Sequence, residues 1–235
     1  MKITQLALLA GATLIANTAA RAHYLWIEQP ATGNAIVHFG EYNEGVIERS
    51  PGRMDEMPSI EAFAGQTPLK IAKQASHYTL SAKAAALAVT AQELDYPVKD
   101  WRANGIGLAK PMYYARFAPA SATAAATPLQ TLDILPATDR KSVQVWLHGK
   151  PLAGASVALH ARNGWTKSDK ADGEGRLNIA MPWRGQYVVE VIHAERLAGS
   201  FGGAAYDVIR HRATLTLVQP IGPVTFAVVA PSKHD

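Results

Sequence analysis

The chain has 235 residues and not one cysteine. Disulfide staples are therefore excluded, as are thiolate-held zinc and iron–sulfur centres. The fold must hold by burial, and any metal site must be built from nitrogen and oxygen donors. No apolar run reaches membrane-spanning length, and no lipobox cysteine follows the short apolar run Leu6 to Ile15. A basic stripe is missing too. The formal net charge of +4 includes Lys2 and Arg21 of the opening segment, so the remainder lies nearer neutrality, with scattered Lys and Arg. That argues against a nucleic-acid partner. Equally missing are a Gly-x-Ser-x-Gly elbow, a phosphate-binding loop and a dinucleotide fingerprint after a strand. Asp169, Asp172 and Glu174 do cluster, but an Asp-Gly turn explains them. The expectation is a binding protein and not an enzyme.

What is present begins at the amino terminus. Lys2, the apolar run Leu6 to Ile15 and the small residues of Ala20-Arg21-Ala22 have the form of a secretory signal peptide over residues 1–22. Cleavage there exports a soluble, periplasmic chain beginning His23-Tyr24-Leu25-Trp26. Thr18-Ala19-Ala20 offers a competing cut that would leave Arg21 first. A first-position histidine carries both an imidazole and a free α-amino group, close enough to chelate one ion. The reference pKa of that amine is roughly 7.7–8.0, so a metal can displace its proton near neutral pH.

Hydrophobic residues make up 48% of the chain, enough for a true core. Two halves are expected, an N-terminal β-rich domain over 23–120 and a C-terminal domain over 129–235. The small-residue segment 121–128 would link them. In the second half Ser142 to Leu147, Ala155 to His160, Gln186 to His193 and His211 to Val218 alternate as strands. Turns such as Asp172-Gly173-Glu174-Gly175 separate them. This predicts an all-β protein of two sandwich-like domains, the C-terminal one immunoglobulin-like. In the first half Tyr24 to Glu28, Ala35 to Phe39, Ser59 to Ala64 and Leu69 to Ala72 read as strands. Ser81 to Ala91 fits helix or strand, a short helix is placed within Thr90 to Trp101, and Val224 to Val229 reads as a terminal strand.

Strand parity sorts the eight histidines. His193 shares a face with Tyr187, Val189 and Val191, and His211 shares one with Ala213, Leu215 and Leu217. If the two strands form a hairpin, the histidines meet at one end of the sandwich, beside a long glycine-containing loop from Ala194 to Arg210. With His23 they would supply three imidazoles and an amine, a donor set suited to copper(II), nickel(II) or zinc. His38 is the reserve ligand, with Glu41 and Glu44 as carboxylate partners. Glu190 falls on the opposite phase from His193 and is left out. His148, in a turn, and His160, on a polar phase, are read as solvated, and His77 and His234 as incidental.

The His-aromatic-x-Trp start and the His38-Phe39-Gly40-Glu41 segment resemble a periplasmic family of domains of unknown function. The resemblance continues through Gly149-Lys150-Pro151-Leu152-Ala153-Gly154, Asp172-Gly173-Glu174-Gly175-Arg176 and Gly185-Gln186-Tyr187-Val188-Val189. Members of that family are associated with nickel or cobalt uptake. Membership implies capture, buffering or delivery of a divalent transition metal, with a membrane or outer-membrane metal transporter as partner. This chain lacks the Met-His-x-Met start of some nickel-uptake relatives, and an amino-terminal histidine suits copper equally, as in histidine-brace proteins. Two other readings stay open. One is a metal-free carbohydrate- or protein-binding module using Trp146, Trp165 and Trp183; the other is a copper-dependent oxidative enzyme.

Overall fold

A computed structural model describes residues 23–30, 33–83, 88–119 and 126–225. The signal segment, most of the linker, part of the alanine-rich stretch, the end of the expected terminal strand and His234 lie outside these residues. The described chain is all-β. Its helical turns are two short 3-10 segments, Arg53–Glu56 and Arg102–Asn104. No described helix is long and apolar enough to cross a membrane.

A nine-stranded sheet organises the molecule. Its backbone order runs Thr166–Lys170, Ser156–Ala161, Gly185–Glu195, Val208–Gln219, Leu108–Phe117, Val89–Glu93, Ile60–Ala64 and Thr67–Pro68, with Lys99–Asp100 beside Leu108–Phe117. Strands from both halves of the sequence therefore share one sheet. The junction is a parallel pairing of Leu108–Phe117 with Val208–Gln219. A parallel pair needs a long crossover, and here almost the whole second half supplies it.

Because side chains alternate across a strand, the large sheet can be covered on both faces. Tyr113, Ala115 and Phe117 point to one face and join Leu25, Val37, Phe39 and Leu80 of a sheet built on Tyr24–Glu28 and Asn34–Glu41. Tyr114 points to the other. There Val189, Val191, Ala213 and Leu215 pack on Leu132, Ile134, Val143 and Val145 of a small sheet containing Leu132–Pro136 and Ser142–Leu147. Each fully buried Val or Leu contributes about 1.5–3 kcal/mol, so both cores drive folding.

The first strand pairs on one side only, with Asn34–Glu41. Its other edge is not left open. Arg212 Nη1 donates to the His23 carbonyl at 3.1 Å, and Thr214 Oγ1 donates to the Leu25 carbonyl at 2.6 Å. Polar residues on alternate positions of Val208–Gln219 thus dock the edge of one sheet onto the face of another. Gly40 is needed in the partner strand. Its φ is +151°, and a Cβ there would meet the Val46 carbonyl oxygen at 2.1 Å.

The short helix expected within Thr90 to Trp101 does not form. Val89–Glu93 is a strand between two others, and Ala91 and Val89 are wholly buried in the core. Tertiary pairing decides a segment whose local pattern was ambiguous. The Ala194 to Arg210 segment is not an irregular loop. Gly185–Glu195 runs past His193, and a small hairpin, Gly199–Phe201 with Ala204–Tyr206, fills the connection.

Candidate metal centre

Gly185–Glu195 and Val208–Gln219 form the hairpin expected from the sequence, with His193 directly opposite His211. Their ring centroids are 6.5 Å apart. Two further residues complete the group. Glu195 lies two positions beyond His193, on the same face of the strand, and its Oε2 is 3.0 Å from His211 Nε2. His148 reaches the same carboxylate from the small sheet, with Nε2 3.2 Å from Oε2. The donor atoms of His148, Glu195 and His211 all lie within 4.8 Å of one another.

Local chemistry explains how His148 arrives there. His148 and Gly149 form a two-residue loop between Leu147 and Lys150, which pair. Both have positive φ, +50° and +71°, the pattern of a type I′ hairpin turn. Asn-Gly is the favoured sequence for such a turn, and a histidine in the left-handed region costs about 1–2 kcal/mol. The backbone N–H of His148 donates to the Thr131 carbonyl at 2.8 Å and fixes the tip.

The site is graded in burial. The His211 side chain is 1% exposed, Glu195 28% and His148 55%, so the group opens to solvent at one side. Burial pushes the His211 pKa below its ordinary 6.5, with His193 and His148 adding to that and Glu195 opposing it. The buried imidazole is thereby held neutral, the form that ligates metals. The Glu195 pKa is lowered chiefly by its hydrogen bond from His211 and also by His148, against a smaller effect of burial. His211 Nδ1 lies 3.1 Å from the Tyr114 hydroxyl, so Nε2 is the nitrogen turned to the open side. A histidine that ligates through one ring nitrogen is oriented by the acceptor of its other N–H, and the Tyr114 hydroxyl oxygen stands in that position behind His211.

These residues fit a divalent transition ion. Metal–nitrogen and metal–oxygen bonds of about 2.0–2.2 Å place neighbouring donors roughly 3–4 Å apart. The separations of 3.0 and 3.2 Å fall in that range. Two imidazoles and a carboxylate, with a third imidazole adjacent, make a nitrogen-rich set suited to nickel, copper or zinc.

His23 is not part of this group. It contacts Arg212, the neighbour of His211 in the strand, and adjacent residues project to opposite faces of the sheet. Its buried ring lies among Phe39, Glu48 and Glu41. Nε2 bonds the Glu48 carboxylate, while Nδ1, 3.5 Å from Glu41 Oε1, has no hydrogen-bond partner. The expected union of His23 with His193 and His211 therefore does not occur, for a reason of strand parity.

His38 is also elsewhere. It stacks on Trp26 at 5.0 Å and has His77 and Glu28 as neighbours, not Glu41 or Glu44. Burial pushes its pKa below 6.5, against an opposing pull from Glu28. A histidine depressed in the folded state binds protons more readily when unfolded. The stability it confers is full above about pH 6.5 and is lost as pH falls through the folded pKa. Melting temperature should therefore drop on acidification from pH 7 to pH 5, and His38→Gln should flatten part of that slope. An identical slope in the variant would show that His38 contributes nothing to it.

Two further readings change. His160 is not solvated: it is 5% exposed and hydrogen-bonded to Glu190 at 2.9 Å. Trp146, Trp165 and Trp183 are each half-buried, and Trp165 packs edge-on against Trp183 at 5.6 Å. They do not present a flat, exposed aromatic face.

A family model described as "Domain of unknown function (DUF4198)" matches residues 20–195. No curated protein and no solved structure matches the chain.

Proposed function

We propose that this chain, which belongs to the DUF4198 family, binds a divalent transition metal through His148, Glu195 and His211, with His193 as an adjacent fourth donor. The observation carrying this reading is the convergence of three donor atoms within 4.8 Å, with Tyr114 behind the buried imidazole. The role is capture, buffering or delivery of nickel, cobalt or copper in the periplasm, with a membrane metal transporter as recipient. Copper(II) would favour a planar set of nitrogens, while nickel accepts the same donors. The half-exposed His148 would give an ion a path in and out, as a cargo site requires.

A second donor set rests on one specific observation, the unpartnered buried Nδ1 of His23 beside Glu41. After cleavage in front of His23, its amine and Nδ1 would chelate one ion with Glu41 alongside.

Titration of the processed protein with copper(II) and nickel(II), followed by calorimetry, tests both. The His211 site predicts that His211→Ala and Glu195→Gln abolish tight binding, while Tyr114→Phe weakens it about 10–100-fold. His148→Asn should weaken binding yet leave the melting temperature equal or higher, since Asn-Gly suits the turn better. Unchanged affinity in the His211 and Glu195 variants would overturn the site. Loss of binding on adding one residue ahead of His23 would move the metal to the amino terminus.

A further inference from the structure

The opposite face of the strand that carries His211 lines a cavity of about 190 Å³. Arg210, one residue before His211, faces into it together with Arg53 and Lys99. Glu56 is the cavity's carboxylate, and it is already engaged. It accepts hydrogen bonds from Lys99 Nζ at 2.9 Å and from the Tyr96 hydroxyl, and lies 4.0 Å from Arg53 Nε. Among the lining side chains the three cations outnumber the one carboxylate. His23 also lines the cavity, with the Glu41 and Glu48 carboxylates against its ring.

Arg210 is the decisive residue. Among the described residues its guanidinium has no carboxylate partner and no side-chain hydrogen bond, although its neighbour Arg212 has both. It lies over the Trp101 ring, 5.2 Å from the centroid. Stacking on an aromatic face leaves the in-plane N–H donors of a guanidinium free to form a bidentate pair. A half-buried cation without a counter-charge is costly, and an anion in the cavity would remove that cost. Trp101 and Tyr113 supply flat apolar walls beside the charge.

We propose that this cavity binds a small organic carboxylate with a planar body, its carboxylate held by Arg210 and its ring or conjugated chain against Trp101 and Tyr113. Size argues for a compact ligand, since sites for drug-sized molecules occupy roughly 300–1,000 Å³. The mixed lining argues against an inorganic anion, which gains nothing from aromatic walls. This site is separate from the His148, Glu195 and His211 centre, since Arg210 and His211 project to opposite faces of the sheet, whereas an ion held by His23 would lie in the cavity wall.

The test uses benzoate, benzamide and inorganic phosphate with the processed, metal-free protein, read by calorimetry and by tryptophan fluorescence. Saturable binding of benzoate, with benzamide and phosphate each weaker by about tenfold or more, is the expected result. Arg210→Gln should weaken benzoate by a similar factor, and the largely exposed Arg53→Gln should weaken it less while leaving the fold intact. His211→Ala should leave benzoate binding unchanged, so failure of the metal reading and failure of this one are distinguishable. Equal binding of benzamide, equal binding of phosphate, absence of saturable benzoate binding, or indifference to both arginine variants would each overturn the proposal.

Discussion

Asp133→Ala should be among the most destabilising single substitutions available in this chain, costing about 3–5 kcal/mol. Asp133 and Arg116 are each 1% exposed and form a two-pronged pair, with Nε to Oδ1 at 2.8 Å and Nη2 to Oδ2 at 2.5 Å. The carboxylate also accepts the backbone N–H groups of Leu129 and Ile134, both at 2.9 Å. Removing it strands a buried guanidinium whose remaining partner is the Thr127 carbonyl at 3.1 Å. The pair joins a strand of the large sheet to the first strand of the small sheet, so the loss falls between two layers. For a domain of this size each kcal/mol moves the melting temperature by about 2–4 °C, which puts the expected fall on the order of 10 °C. The double change Arg116→Met with Asp133→Leu should recover part of it, because it leaves no orphaned charge while still depriving the Leu129 and Ile134 N–H groups of their acceptor. Thermal and urea melts of the single and double variants measure this. A single variant within about 1 kcal/mol of the parent would show that the pair is not load-sharing in the way its burial implies.

The strands of the second half were legible because each carries its own turn chemistry and a period of two. Gly185–Glu195 and Val208–Gln219 follow the expected alternation, and the pairing of His193 with His211 needs only parity and a hairpin. The parallel pairing of Leu108–Phe117 with Val208–Gln219 was not legible. No local feature marks two strands about a hundred residues apart as neighbours. Leu108–Phe117 also mixes charged and apolar residues without clean alternation, since Lys110, Arg116 and Tyr114 are all buried there. A strand covered on both faces loses the period that identifies a half-exposed one.

The candidate site was half legible for related reasons. His193 and His211 came from alternation, and Glu195 continues the same phase. The apolar alternation stops at His193, while the strand itself continues two residues further to Glu195. His148 looked like a solvated turn residue, and it is exposed. Only the folding of one sheet over another brings that turn to Glu195. The sequence signal that was available is subtler: a histidine stands before Gly149 where a two-residue hairpin favours asparagine. Parity fixes the face of a residue within a strand but says nothing of which face a separate strand will meet, so it does not place His23. His160 and Glu190 read as polar-phase residues of an open sheet, whereas the first strand covers that face.

Arg212 provides the sharpest test of that covered face. It is 5% exposed, bonds Glu190 Oε1 through Nε at 2.6 Å, holds the His23 carbonyl and stacks over Tyr24 at 4.8 Å. Burial on its own would raise the Glu190 pKa; Arg212 and then His160 outweigh it and hold the carboxyl below the usual range. Arg212→Met removes the larger counter-charge, and the expected cost at neutral pH is about 3–5 kcal/mol. The pH dependence of that cost has a definite sign. With Arg212 gone, burial dominates and the Glu190 pKa should rise above its unfolded value. The folded variant then binds a proton that the unfolded chain does not, and it gains stability as pH falls. The depressed histidines are common to parent and variant and cancel in the comparison, while the parent's Glu190, held below the usual range, gains nothing over the same interval. The gap in melting temperature between parent and Arg212→Met should therefore narrow from pH 7 to pH 5. Combining the change with Glu190→Gln should abolish that narrowing. Amide exchange from His23 to Trp26 should quicken in the single variant, since the edge of the first strand loses one of its two docking bonds. A gap that stays constant with pH would mean that water or His160 alone satisfies Glu190, and that Arg212 holds the first strand through its backbone bond rather than through buried charge.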